Sequence, residues 1–123
     1  MSKDIRIKKG LDIKLVGEAE KTTENAIVSN FYYIRPEDFH SIIPKLVAKE
    51  GTRVKAGETL FYNKDIEAMK FVSPVSGEVT EVQRGPRRRI DAIKITADKE
   101  QTYLDHGKLD ASADADKIKA RLL

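Results

Sequence analysis

Glu50-Gly51-Thr52-Arg53-Val54-Lys55-Ala56-Gly57-Glu58-Thr59-Leu60 is followed further on by Ser73-Pro74-Val75-Ser76-Gly77-Glu78-Val79. Gly51 and Gly57 suit turns that need a positive φ, where a Cβ would be strained. Val54 and Leu60 then point inward on either side of the second turn, and Pro74 and Gly77 bracket the next reversal. Gly85 and Pro86 continue the punctuation. The short segments between these turns offer an inward set of Leu46, Val54, Leu60, Tyr62, Met69, Phe71, Val79, Val82, Ile93 and Ile95. Short apolar segments at this rhythm predict a mainly β chain folded as a small barrel or sandwich.

The flanks are read the same way. Ile5 and Ile7, then Ile13 and Leu15, alternate with polar residues around Lys9-Gly10, which predicts two short strands. Glu18 to Asn25 is polar and reads as a loop, and Ala26 to Ile34, rich in β-branched and aromatic residues, reads as a third strand. Arg35-Pro36 favours extended geometry, and Pro36 to His40 begins one helical turn before Pro44 interrupts it. From about Asp110, Ala111, Ala113 and Ala115 precede Ile118 and Leu122 at i, i+4 spacing. Asp114 and Asp116 lie early and Lys117, Lys119 and Arg121 late, as the helix dipole prefers. A helix is predicted there, ending at Leu122-Leu123 without a C-cap signal, as in a cut chain. The expected organisation is a β domain over residues 1–97, then a linker and C-terminal helix over 98–123 leading to a missing following domain.

Composition excludes several function classes. The chain has 123 residues, 40% of them apolar, which suits one domain with a normal core. A compact globule of this size exposes about 6,700 Å². Basic residues number 23 and acidic ones 20, a net charge of only +3, which argues against disorder and against a dedicated nucleic-acid binder. Cysteine is absent, which excludes disulfides, cysteine–zinc sites, thiol catalysis and cysteine-bound iron–sulfur clusters, and fits a reducing compartment. The longest apolar run is Phe31-Tyr32-Tyr33-Ile34, whereas a membrane-spanning helix needs about twenty residues. Met1-Ser2-Lys3-Asp4 opens no secretory signal. The chain reads as cytosolic or peripheral.

Candidate sites are few. Arg84, Arg87, Arg88 and Arg89 cluster around Gly85-Pro86 as a cationic loop at a strand end, suited to an acidic partner or to lipid head groups. No aromatic residues interleave with these arginines as a nucleic-acid stacking platform requires. His40 and His106 lack metal-ligand spacing and read as surface residues; no metal site is expected. Glu37, Asp38 and Asp105 lie near these histidines in sequence, but no nucleophile–base–orienter set emerges, so no catalytic residue is assigned. There is no Gly-x-Gly-x-x-Gly after a strand, hence no support for NADH binding by this chain.

The glycine and apolar spacing of residues 50–60 and 73–79 resembles that of biotinyl/lipoyl-like (barrel-sandwich hybrid) carrier folds. Glu67-Ala68-Met69-Lys70 looks like the motif whose lysine is biotinylated in such carriers, where it stands at a hairpin tip. Here Phe61 to Ile66 intervene after Leu60, and only Phe71, Val72 and Ser73 separate Lys70 from Pro74. Asn63-Lys64-Asp65 is the better turn chemistry, so Met69 and Phe71 read as inward residues with Lys70 between them facing solvent. A biotin- or lipoyl-type carrier modified at Lys70 is the alternative reading.

Five further phrases, taken in order, resemble the A subunit of the Na+-translocating NADH:quinone reductase over about residues 5 to 96. They are Ile5-Arg-Ile-Lys-Lys-Gly10-Leu-Asp-Ile-Lys-Leu-Val-Gly17, Arg35-Pro36, Gly57-Glu-Thr-Leu60-Phe61, Phe71-Val-Ser-Pro-Val-Ser-Gly77 and Gln83-Arg84-Gly85-Pro-Arg87-Arg88-Arg89. The C subunit of the related ferredoxin:NAD oxidoreductase shares the glycine-rich phrase, but it is a cluster carrier with cysteine quartets, and the opening phrase and arginine stretch favour the quinone reductase. The resemblance implies the N-terminal part of a peripheral subunit on the cytoplasmic face of the bacterial inner membrane. It implies partners among the other subunits, with quinone as a further contact, and a scaffolding role in a complex that couples NADH oxidation and quinone reduction to Na+ export. It also implies that the complex uses NADH, flavins, an iron–sulfur centre, quinone and Na+, with the redox cofactors on other subunits, leaving this chain without a cofactor and non-catalytic alone.

Overall fold

Gly51 and Gly57 take φ values of 81° and 89°, as their turns require. Between them lies the short strand β3 (Arg53–Val54), and after Gly57 comes β4 (Thr59–Asn63). The computed structural model describes Arg6 and residues 8–10 and 13–122. Its other strands are β1 (Phe31–Ile34), β2 (Pro44–Leu46), β5 (Ile66–Val72), β6 (Gly77–Arg84) and β7 (Ile90–Ala97), with helix α1 at Ala115–Leu122. They form two antiparallel sheets, β1-β7-β6-β3 and β2-β4-β5. The chain passes repeatedly from one sheet to the other, so both inner faces close on one core. This is a mainly β barrel-sandwich hybrid with one short C-terminal helix.

Leu60, Phe61, Val79, Ile93 and Ile95 are completely buried at its centre. In the second sheet, pairing aligns Leu46, Phe61 and Phe71 as one row and Lys45, Tyr62 and Lys70 as the next. Because successive strand residues face opposite sides, the first row is internal and the second external. A β-bulge between Thr59 and Phe61 lets Leu60 and Phe61 both turn inward. Tyr62, expected inward, is therefore only half-buried and carries the Lys45 ammonium 5.6 Å from its ring centroid. Met69 and Phe71 are half-buried with Lys70 exposed between them, as expected. Lys64 and Asp65 form the hairpin turn, and the buried Asn63 braces it through Oδ1, which accepts from the Ile43 and Asp65 N–H groups.

Three expectations from the flanks are corrected. Ile13 and Leu15 form no strand and are 78% and 82% exposed, because no neighbouring edge receives them; the expected strand at Ile5 and Ile7 lies outside the described residues. The third strand is shorter than expected, because only Phe31 to Ile34 find partners on β7. Helix α1 begins at Ala115 instead of near Asp110. There the Asp110 carboxylate accepts from the Ser112 N–H at 2.9 Å and the Ser112 hydroxyl at 2.8 Å, stabilising a turn, and Asp114 caps the helix through Lys117 N–H at 2.9 Å. The molecule exposes 11078 Å², well above the compact expectation, and residues 13–30, all exposed, contribute to the excess.

Candidate functional site

The arginine cluster occupies the connection from β6 to β7. The loop is closed by Gly85 N–H donating to the Arg89 carbonyl at 2.9 Å and Arg89 N–H donating to the Pro86 carbonyl at 3.2 Å. Arg87 and Arg88 both adopt left-handed backbone, with φ of 56° and 60°. Side chains with a Cβ are strained there, a cost of the kind found where a loop must hold a particular presentation. Arg84 donates to the Arg88 carbonyl at 3.1 Å, and Arg89 pairs with Asp91 at 2.8 Å. Arg87 and Arg88 enter no ion pair among the described residues.

Beside the loop is a shallow cleft of about 350 Å³. Lys45, Arg84, Arg88 and Arg89 line it together with the apolar Ile43, Pro44, Leu46 and Ile90. The Tyr62 phenol beside it holds the Lys45 ammonium above its ordinary pKa. Lys45, from a different sheet, could not be joined to the arginines by sequence spacing; its signal was the strand pairing of β2.

The other candidate residues lie elsewhere. Lys70 sits within β5 opposite Tyr62, away from the hairpin turn at Lys64-Asp65, and lines a separate cleft against the C-terminal segment. His106 donates through Nε2 to the Gly57 carbonyl at 3.0 Å. His40 is exposed, and Glu37 is paired with Arg35. No three His, Cys, Asp or Glu side chains group as metal ligands among the described residues.

Sequence reasoning missed the polar stitching of the tail. Ser76, fully buried, donates its N–H to Gln101 Oε1 at 2.7 Å and accepts the Thr102 N–H on its hydroxyl at 2.9 Å. Ala56 accepts from Leu104 N–H at 2.8 Å and donates to the Thr102 carbonyl at 2.9 Å. A serine in the β5–β6 connection and a glutamine in the linker carry no periodic signal, so these contacts emerge only when the chain is folded.

A family model described as the NqrA N-terminal barrel-sandwich hybrid domain matches residues 5–98. The chain belongs to that family. As an NqrA N-terminal barrel-sandwich hybrid domain, it is similar to curated proteins named as the A subunit of Na(+)-translocating NADH-quinone reductase. The Marinomonas sp. (strain MWYL1) protein is 32% identical over 103 residues, covering 82% of this chain and 23% of the relative. The Tolumonas auensis protein is 38% identical over 94 residues, covering 76% and 21%. The Glaesserella parasuis protein is 30% identical over 122 residues, covering 97% and 27%. The NqrA-type domain thus spans about a quarter of the length of the curated relatives it matches. Its matched region contains both sheets and the arginine loop. No helix among the described residues is long and apolar enough to cross a membrane.

Proposed function

We propose that this domain is a docking and scaffolding module of a Na+-translocating NADH:quinone reductase, peripheral on the cytoplasmic face of the bacterial inner membrane. In this reading the complex couples NADH oxidation and quinone reduction to Na+ export. NADH, flavins and the iron–sulfur centre are engaged by other parts of the assembly, and this chain contributes attachment instead of chemistry. The observation that carries the reading is the β6–β7 loop, where Arg87 and Arg88 are consecutive left-handed residues and Arg88, with Arg84, Arg89 and Lys45, lines a cleft shared with Ile43, Pro44, Leu46 and Ile90. Cations bordering an apolar patch suit the rim of an interface with an acidic protein surface, where complementary charge guides docking and fixes register.

The test is assembly. Asparagine tolerates left-handed backbone, so Arg87→Asn with Arg88→Asn removes two charges while preserving the loop path. The protein carrying both changes should fold but co-purify poorly with the membrane complex at low salt, and the deficit relative to wild type should narrow as salt screens the charges that the wild type uses. Unchanged co-purification at all salt concentrations would overturn the docking role.

A further inference from the structure

The cleft that Lys70 lines is separate from the arginine loop, and measures about 820 Å³. Its floor is the outer face of the β4–β5 pair, with Lys70 and Val72; its opposite wall is the segment from Leu104 to Leu109 and one side of α1. That wall is held in place. Thr102 and Leu104 are stitched to Ser76 and Ala56, His106 is tied to the Gly57 carbonyl, and the Arg121 guanidinium donates to the His106 carbonyl.

Two features of the lining point to a ligand class. Every ionisable side chain on it is basic, namely Lys70, His106, Lys117 and Arg121, and Lys70 and Lys117 form no ion pair among the described residues. The remainder is mainly apolar, and Leu104, Leu109 and Leu122 keep 39%, 42% and 80% of their surface in water. Each Å² of such surface removed from water is favourable by roughly 25 cal/mol. The volume falls within the range of about 300–1,000 Å³ typical of small-molecule sites.

We infer that this cleft binds a single-chain amphiphile with an anionic head, for which a fatty acid is the simplest probe. The head sits between Lys70 and the α1 cations, where a charge-assisted hydrogen bond is stronger than a neutral one. The chain lies along Val72, Leu104 and Leu109 and leaves through the open side. An amphiphile with a cationic head would meet like charge, and a purely polar anion would leave the apolar wall in water. In this assignment Lys70 is an anchoring cation beneath the C-terminal helix.

The experiment is an NMR titration of the isotope-labelled 123-residue chain with dodecanoate, dodecanol and dodecyltrimethylammonium. Dodecanoate should give saturable shifts at the Lys70, Leu104 and Ala120 amides, with the other two binding more weakly. Lys70→Gln should weaken dodecanoate about tenfold, as expected for loss of a hydrogen bond to a charged group. Ala120→Trp, which fills the cleft from the helix side, should abolish the shifts while leaving the β-sheet spectrum intact. The inference fails if the cationic amphiphile binds as well as dodecanoate or if Lys70→Gln binds dodecanoate unchanged. It also fails if the shifts fall at Lys45 and Arg88, or if none appear up to about 1 mM.

Discussion

The Phe61 and Phe71 rings lie nearly parallel, with centroids 4.7 Å apart and planes 9° apart, and join the central strand β4 to the edge strand β5 on the smaller sheet's inner face. Phe39 closes the cluster, 4.6 Å from Phe71 and edge-on to Phe61. Phe61 is completely buried and Phe71 half-buried. Phe61→Ala should therefore cost about 3–5 kcal/mol, the range for a buried aromatic. Phe71→Ala should cost less, and denaturant unfolding of the two variants measures the difference. Equal losses would show that the stack, not burial, sets the cost.

Much of the fold was legible in the sequence because turns with demanding backbone geometry announce themselves. Gly51, Gly57 and the Asn63-Lys64-Asp65 turn fixed where the chain reverses, and period two then placed Val54, Val79, Ile93 and Ile95 inside. Phe61 was missed because a bulge breaks that period locally, which alternation cannot foresee. Ile27 and Val28 have strand composition yet stay 99% and 84% exposed, because propensity cannot supply a neighbouring edge. Of the candidate docking site, the local arginine loop was visible in sequence. Its junction with Lys45 was not, since that depends on how two sheets are apposed.

Gly77 is required for space, not for unusual backbone. A Cβ there would lie 2.0 Å from the Thr96 carbonyl oxygen and 2.8 Å from its carbon, both backbone atoms of the paired strand. Gly77→Ala should separate β6 from β7 locally and cost about 1–3 kcal/mol or more, as overpacking does. Thermal unfolding together with hydrogen exchange at Thr96 and Ala97 reads the effect; wild-type protection at those amides would contradict it.

Gln101 pins the tail by accepting from Ser76 N–H and donating to the Ser76 and Asp98 carbonyls. Gln101→Ala leaves the Ser76 N–H without its partner beside a fully buried hydroxyl, at a cost of about 1–3 kcal/mol. Hydrogen exchange at Thr102 and Leu104 should accelerate while Ile93 and Ile95 change little. A uniform rise across the barrel would show that the tail and core open as one unit.

Lys70 should remain unmodified. Its place within β5, with hairpin reversal at Lys64-Asp65, keeps it from the freely presented tip that ligases of carrier domains use. Intact-mass measurement after co-expression with biotin and lipoyl ligases should show no adduct. A mass increase that disappears in Lys70→Arg would establish the carrier reading instead.

The Asp110 turn gives the entry to the helix a pH dependence of known sign. The Ser112 N–H, and then its hydroxyl, hold the Asp110 carboxyl below its ordinary value of 3.8. A carboxyl depressed in the folded state stabilises that state fully above its unfolded pKa and loses the contribution as pH falls through the folded one. Ser112→Ala removes only the hydroxyl bond, so the carboxyl should move partway back toward 3.8 and not beyond it. NMR titration of the Asp110 side-chain carbon reads both positions directly. Titration at or above the ordinary value in the wild type would mean that the Ser112 turn does not form in solution, and the helix start would then lose its explanation.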